Sequence, residues 1–197
     1  MITGVGAIWN VLRPSPEMTV AVAGSGAVGL SALMALTMTP ATRIIAVDRV
    51  ASRLTLACEL GATDVLDTST EDLKSGLLRL TEGAGVDAVI ETTGRTELLR
   101  AGLDALAAQG TVVVIGAPPF GTEVSIEVSS LLAGRKIVGV TLGDVQPSTL
   151  IPLLVRHVRS GRLRLDRLIT TYPYDKIADA VHDSLEGRTI KPVLLFE

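Results

Sequence analysis

Apolar residues in this chain fall in short runs. Each run is closed by a glycine or polar break, and apolar positions then recur at helical spacing. The runs at 19–23 (TVAVA), 43–47 (RIIAV), 86–90 (VDAVI) and 111–115 (TVVVI) are rich in β-branched residues and apolar at nearly every position. That pattern predicts strands buried on both faces, because a strand with one face in water alternates instead. A weaker strand is predicted at 64–66 and a sixth at 135–142 (RKIVGVTL). Between them the spacing predicts helices over 27–38, stopped by Pro40, and over 52–60, with Gly61 just beyond its end. Two further helices are expected over 73–81 and 97–107. Strand and helix in strict alternation argue for an α/β fold, a Rossmann doubly wound six-stranded parallel sheet.

The two ends of the chain depart from this rhythm. A helix is expected over 5–12, carrying Trp9. After residue 145 the spacing predicts an amphipathic helix at 148–159, a strand at 168–172, a helix at 175–185 and a strand at 193–196. This tail does not continue the strand–helix repeat. A boundary is therefore placed near 143–147, separating a nucleotide-binding domain at 1–145 from a segment at 146–197.

Composition narrows the class. Of 197 residues, 47% are hydrophobic, so either the core is large or some apolar surface is meant for a partner. A net charge of −3 gives no basic footprint, which argues against nucleic acid as a ligand. The single cysteine, Cys58, excludes a disulfide framework and any multi-cysteine zinc site built from this chain alone. Cys58 is read as a buried helix cysteine. His157 and His182 are read as surface residues, and no metal ligand or catalytic residue is assigned. No run of apolar residues is long enough to span a membrane, and the uncharged first dozen residues lack a secretory signal's basic start. A cytoplasmic location is the expectation.

The candidate chemistry lies where strand 19–23 meets helix 27–38. Gly24-Ser25-Gly26-Ala27-Val28-Gly29 is GxGxxG in the strand–turn–helix context that gives this short pattern meaning. Gly24 permits the turn, and Gly26 lets the backbone approach a pyrophosphate. Gly29 lets helix and strand pack closely. The amides of Ala27, Val28 and Gly29 then face the ligand at the positive end of the helix. The same string also fits an ordinary glycine turn. Asp48 ends the second strand at the offset where a carboxylate accepts hydrogen bonds from an adenosine ribose. Such a carboxylate favours NAD over NADP, although the neighbouring Arg49 blurs that preference. Thr92 and Thr93 follow the fourth strand. Gly116, Ala117 and two prolines follow the fifth. Both segments fit either a cofactor floor or plain turn chemistry.

The strings GSGAVGLSALMA, IIAVD, ELGATDV, VDAVIETTG, GTVVVIGAPP, GRKIVGVTLGD and YPYDKIADAVHDSLEGRTIKPVLLF together resemble medium-chain, zinc-containing alcohol dehydrogenases, above all their aryl-alcohol branch. The resemblance covers essentially the whole chain. It implies that Ile115, Ala117, Val140 and Leu142 present backbone atoms to the nicotinamide carboxamide. It also implies that Arg53 reaches the adenosine ribose and that Lys191 contacts the pyrophosphate, where many relatives carry arginine. Lys191 keeps that charge but not the bidentate fork. A homodimer is implied through the edge strand at 135–142.

The resemblance extends only to the cofactor-binding half. In the family, a separate catalytic domain supplies the cysteine and histidine ligands of the zinc that polarises the alcohol. The expectation is therefore a chain that binds NAD but turns alcohols over poorly or not at all alone, with the 146–197 segment belonging to that catalytic domain. A separately encoded catalytic domain is one partner consistent with this. A non-catalytic NAD-binding or interaction module, and a zinc-independent quinone reductase relative, are the other readings left open.

Overall fold

A computed structural model describes residues 1–196. Its contacts divide the chain into one unit at Met1–Ile151 and a second at Pro152–Glu197.

The first unit is built on a six-stranded parallel sheet. Its strands are β1 (Thr19–Ala23), β2 (Arg43–Asp48), β3 (Asp64–Asp67), β4 (Val86–Glu91), β5 (Leu106–Val114) and β6 (Lys136–Gly139), in the order β3-β2-β1-β4-β5-β6. The order reverses direction at β1 and β4, which opens a crevice at the carboxyl ends of the strands. Successive residues of a strand point to opposite faces, and both faces are covered. Ala21, Ala23, Ile45 and Val47 pack with Leu66, Leu73, Leu77, Val89 and Leu103. Val22 points the other way, toward the helix that follows β1. That explains why these strands read as continuous apolar runs.

The helices of this unit are α1 (Ile2–Gly6), α2 (Ala27–Leu36), α3 (Ala51–Glu59), α4 (Leu73–Leu80), α5 (Thr96–Asp104) and the short α6 (Val128–Leu131). Helix α1 runs on into wider π-type turns at Ala7–Leu12. Val5, Ala7 and Ile8 of this N-terminal segment are fully buried. A Cβ on Gly4 would stand 2.3 Å from the Val28 carbonyl oxygen, so α1 lies backbone to backbone on α2. Trp9 Nε1 donates to the Ala35 carbonyl at the far end of α2, 3.3 Å away.

Three predicted boundaries shift. Helix α2 stops two residues early, where the hydroxyls of Thr37 and Thr39 bond the carbonyls of Met34 and Leu36. The 97–107 helix ends at Asp104, because Leu106 is claimed by strand pairing with Val86. The register then jumps to Ala88 with Thr111, so β5 carries a bulge in which Gln109 adopts φ 63°. Strand β6 ends at Gly139 rather than 142, because the chain turns left-handed at Leu142.

Helix α7 (Pro147–Arg159) crosses from the first unit into the second. The second unit holds two parallel strands, β7 (Ile169–Pro173) and β8 (Lys191–Leu195), with α8 (Ile177–Leu185) between them. Tyr172 donates its hydroxyl to Asp183 at 2.8 Å, and Arg188 Nε donates to the same carboxylate at 2.8 Å. These two bonds hold Asp183 below the usual carboxylate range, the arginine being the larger cause.

Candidate dinucleotide site

The crevice at the switch point has a volume of about 370 Å³. Its lining joins three strand ends: Gly24, Gly26, Ala27, Val28 and Gly29 after β1, Asp48, Arg49 and Arg53 at and after the end of β2, and Thr92, Thr93 and Arg95 after β4. Gly24, Gly26, Ala27, Val28, Gly29, Asp48, Arg53, Thr92 and Thr93, all predicted from the sequence, therefore converge here.

The glycines divide their tasks as steric contacts demand. Gly24 has φ +98°, and a Cβ there would collide with the Thr92 hydroxyl at 2.5 Å. A Cβ on Gly29 would lie 1.7 Å from the Gly24 carbonyl oxygen, so only glycine lets α2 start this close to β1. Gly26 differs: nothing lies within 4 Å of where its Cβ would be. Its bareness serves no packing, and it leaves open space over the start of α2. Gly26 is the N-cap of α2, and no side chain caps it. The amides of that first turn are the ones an anion would meet.

Asp48 is buried to 9% exposure, yet it lines the crevice. One carboxylate oxygen accepts from Ser25 N at 2.7 Å, and the other from Arg49 N at 2.8 Å and Val50 N at 3.0 Å. The side chain thus ties the glycine loop to the start of α3. A carboxylate offers about four acceptor positions, so one remains for a ligand hydroxyl. Arg53 stands 4.0 Å from Asp48, and its Nε is buried without a hydrogen-bond partner among the described residues. A buried donor left unpaired in a native fold calls for a ligand or water.

Sequence reasoning missed Glu91. This carboxylate is 1% exposed at the end of β4. It accepts from Thr93 N at 2.6 Å, from the Thr93 hydroxyl at 2.5 Å and from Gly94 N at 3.1 Å. The Cγ2 of Thr93 sits beneath Gly24. Glu91 therefore braces the turn on which the glycine loop rests. The available signal was an acidic residue ending an apolar strand, which must find donors when buried. Thr68 and Leu98 also line the crevice without having been predicted.

The remaining predicted residues lie elsewhere. Ile115 N and Gly116 N donate to the Glu91 carbonyl, and a Cβ on Gly116 would meet Gly94 N at 2.0 Å. Ala117 follows, exposed. Val140 N donates to the Val114 carbonyl at 3.0 Å, and Leu142 is 60% exposed. None of these five lines the crevice itself. Lys191 opens β8 in the second unit and is exposed. Cys58 is a correction: it is exposed, because the buried stripe of α3 runs through Leu54 and Ala57 and Cys58 lies off it. No group of three or more His, Cys, Asp or Glu side chains is arranged to hold a metal ion among the described residues. Also among them, no helix is long and apolar enough to cross a membrane.

Strand order and glycine loop together define a doubly wound Rossmann domain. A family profile described as zinc-binding dehydrogenase matches residues 27–158, and the chain belongs to that family. It is 34% identical over 195 residues to a geraniol dehydrogenase of Castellaniella defragrans, covering 98% of this chain and 52% of the relative. Among solved structures it resembles a benzyl alcohol dehydrogenase from Acinetobacter calcoaceticus, with TM-score 0.95 and 42% identity over 100% of this chain and 54% of that one. An alcohol dehydrogenase zinc-binding domain protein from Burkholderia ambifaria gives TM-score 0.94 and 44% identity over 100% and 53%. The chain spans about half the length of the relatives it matches.

Proposed function

We propose that this chain is the NAD-binding portion of an alcohol dehydrogenase-like oxidoreductase, one that transfers hydride between a primary or aryl alcohol and NAD. The observation that carries the reading is the uncapped start of α2 beneath a bare Gly26, with the Asp48 carboxylate beside it. The pyrophosphate would sit on the amides of Ala27, Val28 and Gly29, and the adenosine ribose against Asp48. The unpaired Nε of Arg53 fits a ribose oxygen. A 2′-phosphate would be repelled by Asp48, which argues for NAD over NADP. The nicotinamide would lie along the β5 and β6 ends, against the backbone of Ile115, Ala117, Val140 and Leu142.

Bound there, NAD supplies the hydride acceptor. The chain's own part is to orient the two halves of the cofactor. Zinc-type alcohol oxidation needs a ligand cluster that the described residues do not bring together. We therefore expect the chain alone to bind NADH without oxidising benzyl alcohol.

The partner we propose is a second copy of this chain. Strand β6 has a neighbour on one side only, and Ile137 on it is 37% exposed. Leu131 and Leu132, a few positions before it in the chain, are exposed as well. An unpaired, β-branched edge is a template for pairing with another strand.

NADH titration followed by nicotinamide fluorescence, with NADPH in parallel, tests the site. Tighter binding of NADH is expected, and Asp48→Gly should weaken it and narrow its lead over NADPH. Unchanged selectivity in that variant would remove Asp48 from the ribose.

A further inference from the structure

Leu142, Gly143 and Asp144 have φ of 52°, 79° and 50°. Three consecutive left-handed residues, two of them carrying side chains, are not a conformation the segment would hold alone. The grip on it comes from the other end of the chain. Asn10 Nδ2 donates to the carbonyls of both Gly143 and Asp144, each at 3.3 Å. Gly6 and Gly143 meet without side chains, since a Cβ on Gly6 would stand 2.3 Å from the Gly143 oxygen. A Cβ on Gly143 would stand 2.7 Å from the Ile2 oxygen. The N-terminal helix thus lies directly on the turn, and Asn10 pins its two carbonyls.

The place of this turn in the sheet gives it meaning. Ala23 pairs with Glu91, Glu91 with Val114, and Val114 with Gly139. These four residues form one row along the carboxyl edge. The glycine loop leaves the row at β1, and the left-handed turn leaves it at β6. Three strand spacings separate them, about 14 Å. A cofactor with its pyrophosphate on α2 and its far end toward β6 would meet this turn at one end only.

We propose that Asn10 is a positioning residue for the nicotinamide half of the site, holding Leu142–Asp144 in its left-handed form without touching the cofactor. This rests on the dinucleotide reading above. ADP-ribose, which keeps the adenosine and pyrophosphate but lacks the nicotinamide, separates the two claims.

The test is calorimetric titration of wild type, Asn10→Leu and Asn10→Ser with NADH and with ADP-ribose. The serine variant keeps a polar group at this half-buried position and spares the fold if leucine does not. NADH affinity should fall about tenfold, as it would if the turn spent one tenth of its time in the competent form. ADP-ribose affinity should stay within about twofold. Asp144→Gly, which makes one left-handed position free of strain, should restore part of the NADH affinity in the Asn10 variants. Equal losses for both ligands, or no loss for either, would overturn the role of Asn10. Failure of wild type to bind either ligand would overturn the dinucleotide reading and this one with it.

Discussion

Gly26 and Gly29 stand three residues apart in one motif, and the structure separates what each is for. A methyl group on Gly29 would overlap the Gly24 carbonyl. Gly29→Ala should therefore cost about 1–3 kcal/mol of stability and lower Tm by several degrees in calorimetry. A methyl group on Gly26 meets nothing in the free chain. Gly26→Ala should melt like wild type yet bind NADH at least about tenfold more weakly, since its Cβ would occupy the pyrophosphate's approach. Equal melting temperatures for all three proteins would contradict this division. Both glycines and Asp48 were legible in the sequence because the strand, turn and helix that frame them are contiguous. Glu91 was not, because its role depends on Thr93 lying under Gly24, a contact across strands that no local pattern encodes.

Between elements, the pair that fastens β2 to β3 lends itself to a pH test. Arg43 grips Asp64 through two bonds, at 2.9 and 2.8 Å, and its other nitrogen reaches the Leu80 carbonyl. The Arg43 guanidinium holds the Asp64 carboxyl below its ordinary range, against burial, which acts the other way. A carboxylate whose folded value is depressed stabilises the fold above its unfolded value, near 4, and loses that contribution as pH falls through the folded value. Asp64→Asn should cost about 1 kcal/mol at pH 7, a modest figure because water reaches Arg43. The gap to wild type should close as pH drops below about 4 in denaturant titrations. A gap that widened in acid would reverse the sign and remove Arg43 as its cause. At this scale the sequence located the strands because four of them carry nearly continuous apolar runs, but it did not locate their ends. The β5 bulge and the early end of β6 follow from pairing and from the left-handed turn. Neither Leu142 nor Asp144 announces that turn, and its clasp sits 133 positions away at Asn10.

Over the whole molecule, apolar surface remains where no element of the first unit covers it. Phe120, Val128 and Leu132, in the segment that joins β5 to β6, are largely exposed. If two copies join there, Ile137→Lys should shift the chain from dimer to monomer in sedimentation velocity at micromolar concentration, with NADH binding retained. A wild-type chain that sediments as a monomer would remove the proposed interface. The hydrophobic share of 47% fitted either a large core or uncovered surface, and composition could decide neither which nor where. The bond from Trp9 to Ala35 has a practical use here. It ties the chain's single tryptophan, in the Ala7–Leu12 turns, to the far end of the helix whose first turn faces the crevice. Reduced nicotinamide absorbs where indole emits, so quenching of the tryptophan by energy transfer would follow occupancy of the crevice with no added label. The same emission would redden if the N-terminal segment peeled from α2 ahead of the sheet. One optical signal can thus tell loss of ligand from loss of the seam that holds the clasp in place.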